Sequence, residues 1–193
     1  MKRIFSVLFL TCITISSFSQ SQSHLKFKGI PIDGTLSEFV EKLKQTGLEH
    51  VKSTEDNAML TGDFSTYKNC MYLVLSYGSK HSVSNVSVMF PVDDTWSDLS
   101  QKYYNVKSLL IEKYGEPISS VEEFTSDYSI TDNSMKMFAV SMDECNYKTV
   151  FENEQGLIQL VIRHSQEVGS FLILVYLDRQ NGELLRANTL NDL

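Results

Sequence analysis

Two stretches of the chain carry apolar residues at helical spacing, and most of the remainder alternates between apolar and polar. Leu36, Phe39, Val40 and Leu43 recur at steps of three and four, as do Trp96, Leu99, Tyr103, Val106 and Leu110. That spacing puts each set on one face of an α-helix. Both helices are announced by the same start signal. Thr35 with Glu38, and Thr95 with Asp98, have the spacing of a capping box, in which the threonine oxygen accepts from an orphan backbone N–H and the acid reaches back. Pro31 and Pro91 lie just upstream, where the chain must be extended. Gly47 is placed to stop the first helix, and Gly115 followed by Pro117 to stop the second.

Behind each helix the pattern turns to strands. Residues 48–54, 57–64, 70–77 and 83–90 follow the first, and 119–124, 135–142, 148–154, 157–164 and 171–178 follow the second. Within 83–90, Val83, Val86 and Val88 are broken up by Ser84, Asn85 and Ser87. The run "ENEQGLI" is expected to form a hairpin with Gly156 at positive φ, and "SQEVGS" (165–170) a second turn. Residues 125–134 are polar and have no counterpart after the first helix, so they are expected to be an inserted loop. The tail 181–193 can form a short terminal helix with Leu184, Leu185 and Leu190 facing inward.

The helix starts also match as sequence. "PIDGTLSEF" (31–39) and "PVDDTWSDL" (91–99) share Pro, Asp, Thr and Ser, pair Ile32 with Val92 and Glu38 with Asp98, and keep an apolar residue at Phe39 and Leu99. The predicted fold class is α+β: two tandem units, residues 20–90 and 91–193, each a helix followed by antiparallel strands, with sheets adjoining. An antiparallel sheet solvated on one face buries the other, and the preceding helix is the nearest cover.

The first 19 residues are assigned to processing. Lys2 and Arg3 precede an apolar run from Ile4 to Ile15, and Ser17 and Ser19 occupy the small-residue positions of a signal-peptide cleavage site. The expected product is exported, periplasmic or secreted. Cys12 follows Phe9-Leu10-Thr11 and lacks the small residue that precedes a lipid-attachment cysteine. No later run reaches the roughly 18 apolar residues of a membrane span, so no transmembrane segment is predicted. Loss of Lys2 and Arg3 takes the formal net charge from −7 to −9. Dispersed acidic charge offers no positive patch for nucleic acid or anionic membrane.

Of the three cysteines, Cys70 and Cys145 survive cleavage. In an oxidising compartment they are candidates for a disulfide joining the two units. Neither has the neighbourhood of a zinc or thioredoxin site.

No nucleophile elbow, metalloprotease helix, phosphate loop or dinucleotide fingerprint occurs, and no catalytic, metal or cofactor-binding residue is assigned. The four histidines, His24, His50, His81 and His164, are scattered. His164, close to Glu152 or Glu154 across the predicted hairpin, is the best acid–base candidate, although strand-end histidines are mostly solvated. Asp143 and Glu144 are neighbours on an expected strand and would face opposite sides. Trp96, the single tryptophan, lies on the core stripe of its helix. The nine tyrosines suit half-buried sheets, and several gathered on an open sheet face would make an adaptable binding surface. Asn85-Val86-Ser87 is a formal glycosylation acceptor.

The segment "FKGIPIDGTLSEFVEKLKQTG" (27–47), with "YKNC" (67–70), "FPVDDTWSDL" (90–99) and "EKYGEP" (112–117), resembles a group of small exported proteins of Gram-negative gut anaerobes. That likeness implies export but no active site. The tandem plan is similar in architecture to the β-lactamase inhibitor protein and to small outer-membrane assembly lipoproteins, with one cysteine per unit in place of a bridge within each. The expected function is that of an exported, non-enzymatic binding protein with a protein or glycan partner. A small hydrolase or glycan-processing enzyme is one alternative. An inhibitor of a secreted enzyme, acting through residues 125–134, is another.

Overall fold

In chain order the elements are β1 (Lys26–Phe27), β2 (Ile30–Pro31), α1 (Leu36–Lys44), β3 (Glu49–Ser53), β4 (Asn57–Phe64), β5 (Tyr67–Tyr77), β6 (Ser82–Met89), α2 (Trp96–Tyr114), β7 (Ser119–Phe124), α3 (Asn133–Ser141), β8 (Cys145–Asn153), β9 (Gly156–Ser165) and β10 (Gly169–Asp178). A further helical stretch begins at 179–183. The structure, a computed structural model, describes residues 23–77, 82–126 and 129–183. The expected signal peptide with Cys12, the leucines of the tail, His81 and Tyr128 lie outside the described residues.

The chain is α+β, with one antiparallel sheet of eight strands in the order β3-β4-β5-β6-β10-β9-β8-β7 and a small sheet of β1 and β2. At the centre β6 pairs with β10, Val88 opposite Leu174 and Val86 opposite Tyr176. Helix α1 packs on β3 to β6, and α2 on β8 to β10.

Both helices start where their caps stand. At α1, Thr35 Oγ1 accepts from the Glu38 N–H at 3.3 Å, and Glu38 Oε2 accepts from the Thr35 N–H at 3.0 Å. That backbone bond, with the threonine hydroxyl, holds the Glu38 carboxyl below its ordinary value. At α2 the Thr95 oxygen accepts from the Asp98 N–H at 3.1 Å, while the shorter Asp98 carboxylate takes the Thr95 hydroxyl at 2.7 Å.

On the inner strands the helix-facing side of the sheet is buried, and much of it is aromatic. Phe39 and Leu43 of α1, Leu99 and Tyr103 of α2, and Tyr72, Val74, Leu160 and Leu174 of the sheet have no exposed surface. Phe27 stands edge-on to Tyr176 and Tyr72, at 5.1 and 6.0 Å between ring centroids. Trp96 packs edge-on to Phe124 and Tyr147, each at 4.9 Å. The edge strand β7 is tied to α2 by Lys107, which bonds Ser120 at 2.8 Å and Glu122 at 2.5 Å.

Residues 135–142, expected as a strand, are helical. "MKMF" imitates strand alternation, but Asp132 caps the segment by accepting from the N–H groups of Ser134 and Met135, both at 2.9 Å. Methionine, lysine and alanine then favour the helix. The expected loop 125–134 is correspondingly shorter, since α3 begins at Asn133.

Gly156 is needed for a reason other than the one its turn suggested. Its φ is not in the left-handed region. Asn153 Oδ1 closes the turn instead, accepting from the N–H groups of Gln155 and Gly156 at 2.9 and 3.0 Å. A Cβ on residue 156 would stand 2.1 Å from the Leu177 carbonyl oxygen. The glycine is there to let β10 approach.

No bond joins Cys70 and Cys145; both thiols are free. They lie on β5 and β8, with β6, β10 and β9 between. Four inter-strand spacings amount to about 19 Å, far beyond the reach of a disulfide. Continuous hydrogen-bonded pairing does the joining expected of the bridge. Burial raises both thiols, Cys145 to about 12, so each is protonated and inert at neutral pH.

The two ends of the described chain meet at Asp178, whose side chain is fully buried. Its carboxylate accepts from the Leu25 N–H at 2.7 Å and the Asn181 N–H at 3.0 Å, and lies 3.0 Å from His24 Nδ1. The Asn181 amide in turn donates to the Val83 carbonyl at 2.7 Å and the Ile32 carbonyl at 3.1 Å.

Three outcomes are expected. Thiol titration of the unfolded, unreduced mature protein should find both Cys70 and Cys145, while the folded protein should react with neither within minutes; a Cys70–Cys145 peptide in mass spectrometry would contradict the strand order. Gly156→Ala should lower stability by about 3 kcal/mol in denaturant unfolding through overpacking, and a neutral result would mean that β10 does not approach so closely. Asp178→Ala, which leaves the buried Leu25 and Asn181 N–H groups without their acceptor and removes one of the two carboxylates at His24, should cost about 3 to 5 kcal/mol in the same assay.

Candidate functional site

The period of a β-strand divides the eight-stranded sheet into two unlike faces. On the inner strands, residues facing α1 and α2 are mostly buried. Those on the other face are mostly half-buried, shielded by their neighbours in the sheet. Register aligns them in rows. One runs Met59, Leu73, Ser87, Val175, Gln159 and Val150 from β4 to β8. The next runs Thr61, Met71, Met89, Ile173, Val161 and Lys148. A third places Leu75, Asn85, Leu177 and Leu157 side by side.

The middle of this face, on β5, β6, β10 and β9, is largely aliphatic with two methionines. Its margins are polar or charged: Asn57 and Thr61 on β4, Arg163 at the end of β9, Lys148 and Glu152 on β8. An apolar centre within a polar rim is the layout of a protein–protein contact. At the centre, Asn85 Oδ1 is buried and has no hydrogen-bond partner among the described residues. Such an acceptor is costly unless a donor meets it. As the middle of a central strand, Asn85-Val86-Ser87 is also unlike the surface loop of a glycosylation acceptor, and Ser87 is buried.

The tyrosines go elsewhere. Tyr72, Tyr103, Tyr147 and Tyr176 are buried on the helix-covered side, where Tyr103 Oη and Thr149 Oγ1 lie 2.6 Å apart. Among the described tyrosines, only Tyr77, at 40% exposure, shares the open face by alternation with Leu73 and Leu75. An adaptable tyrosine surface is therefore replaced by an aliphatic one. Trp96 is 6% exposed and part of the core.

The described histidines do not converge. His164 Nδ1 lies 3.0 Å from Ser170 Oγ, away from Glu152, which pairs with Arg179 at 2.5 Å at the opposite end of β8. His24 lies between Asp178 and Asp33, at 3.0 and 3.3 Å, where it ties the two ends of the described chain. His50 Nε2 is 2.8 Å from Ser53 Oγ. Three residues apart on a regular strand, these two would face opposite ways. A bulge between His50 and Lys52 turns both toward α1. They line a cleft of about 460 Å³ with Thr35, Val40, Glu41 and Lys44. Both partners are exposed, so water competes for their hydrogen bonds and the pair lacks the exclusion that strengthens a catalytic dyad.

Asp143 and Glu144 are not strand neighbours: Asp143 has φ +57 in the turn after α3, and Glu144 accepts from Ser126 Oγ at 2.6 Å. Among the described residues, no cluster of histidine, cysteine and carboxylate groups is suited to a metal ion. No helix among them is long and apolar enough to cross a membrane. The open-face rows and the Asp178 junction have no signature in the sequence, since each assembles residues from strands far apart along the chain. Compared with protein-family models, curated proteins and solved structures, the chain matches none.

Proposed function

We propose that this chain is an exported binding protein, built from one helix-plus-four-strand unit used twice, and that it holds a protein partner on the sheet face turned away from α1 and α2. What carries the reading is that face: aliphatic at its centre, charged at its rim, and continuous across the middle strands. Seven inter-strand spacings make the sheet roughly 34 Å wide. A band five residues deep along the strands then covers roughly 600 Å², close to the 800 Å² or so that each partner gives to a stable protein complex. A face of this kind is larger and flatter than a small-molecule site requires. The duplicated unit is supported by the matched caps at Thr35 and Thr95 and by the mirrored strand order, in which β6 and β10, the fourth strand after each helix, meet.

The test is recovery of a partner from the exported fraction of the native host by cross-linking. A protein captured by the wild type should be lost with Leu73→Lys and Val175→Lys on the open face, and kept with Leu109→Lys on the helix layer. Capture that is indifferent to the open-face changes, or lost only with Leu109→Lys, would overturn the assignment. So would turnover of an ester, peptide or glycan substrate abolished by Ser53→Ala.

A further inference from the structure

The two helices do not close completely over the middle of the sheet. A cavity of about 300 Å³ remains between the β4–β5 turn, the second half of α2 and the centre of β10. Phe64, Val106, Leu110, Leu174 and Tyr176 supply its walls. Polar side-chain groups in the lining are few, the Ser65, Tyr67 and Tyr176 hydroxyls beside Lys113, and burial keeps both phenols protonated. The interior therefore asks for an apolar guest. The mouth differs. Leu109, 51% exposed, and Lys113, one helical turn on, both line the cavity from α2. The Lys113 ammonium lies 4.9 Å from the Tyr114 ring centroid, and among the described residues no carboxylate forms a salt bridge with it.

We infer that this seam cavity is a binding site for a medium-chain aliphatic carboxylate, with the alkyl tail between Val106, Leu110 and Leu174 and the carboxylate at Lys113. Size sets the chain length. At roughly 30 Å³ per heavy atom, the cavity holds about ten, the count of octanoate. Charge sets the head group, because an unpaired cation at an apolar mouth favours an anion over a neutral or cationic group. A cleft at the junction of two packed halves is also where ligand pockets concentrate. The site lies on the opposite side of the sheet from the proposed partner face and does not depend on it.

Octanoate, octanol and butyrate are the probes, titrated into the mature protein by calorimetry and followed by methyl NMR. Octanoate should bind saturably below about 1 mM with shifts at Val106, Leu110 and Leu174, and butyrate should bind far more weakly. Lys113→Gln, a surface change that leaves the walls intact, should weaken octanoate about fivefold and leave octanol within twofold. Lys113→Glu should weaken octanoate further. Absence of saturable binding up to about 10 mM, shifts confined to the open-face methyls, or equal losses for octanoate and octanol in Lys113→Gln would each overturn the site. So would nuclear Overhauser contacts from Leu184 or Leu185 to Leu174, which would mean that the chain's own end fills the space.

Discussion

The pairing of β6 with β10 is the contact on which the rest of the molecule depends, because it joins strands more than eighty residues apart and closes two local arrangements into one sheet. Its side chains on the helix-covered face, Val86 and Val88 against Tyr176 and Leu174, form the middle of the core. Without that pairing, both strands would be sheet edges with unmatched N–H and C=O groups. The surrounding structure is arranged to hold it. Asp178 at the end of β10 fixes Leu25 and Asn181, and Asn181 reaches across to the Val83 carbonyl on β6. Phe27 from the N-terminal hairpin fills the space above Tyr72 and Tyr176.

That arrangement explains the distribution of chemistry. Aromatic rings and polar networks are spent on the covered face, where two helices of unequal length leave irregular gaps. Tyrosine fills such gaps while its hydroxyl finds a partner, as Tyr103 does at Thr149. The uncovered face is built mainly from Leu, Ile, Val and Met, with Asn85, Ser87 and Gln159 among them, and the sheet itself half-shields them. Under the proposed function, such a face takes its specificity from shape and from the charged rim. Catalysis has the opposite requirement: convergent titratable groups in an enclosed site. The histidines described here instead stand at three separate places in the fold, one between Asp178 and Asp33, one at Ser53 and one at Ser170.

Local rules were legible in the residues. Thr35 and Thr95, followed three residues later by an acid, marked both helix starts, because a cap is a contact within one turn. The strands around 57–64, 83–90, 119–124 and 157–178 followed from alternation and turn residues, which are also local. The failures arose where two local patterns coincide or where the decisive contact is distant. "MKMF" satisfies a strand period, but the Asp132 cap and the propensities of α3 outweigh it. Gly156 looked like a turn glycine, whereas the constraint on it comes from Leu177 on the neighbouring strand.

By itself, then, the chain determined an α+β protein with two capped helices and a succession of antiparallel strands, since each of these is decided over a few residues. Only the tertiary structure decided which strands became neighbours. Strand order is set by burial summed over the whole sheet, and no single segment carries it. That order put three strands between Cys70 and Cys145, so the joining expected of a disulfide falls to backbone hydrogen bonds. It aligned Leu73, Ser87 and Val175 into a row that no stretch of sequence displays, and it left the gap beside Lys113 between α2, the β4–β5 turn and β10.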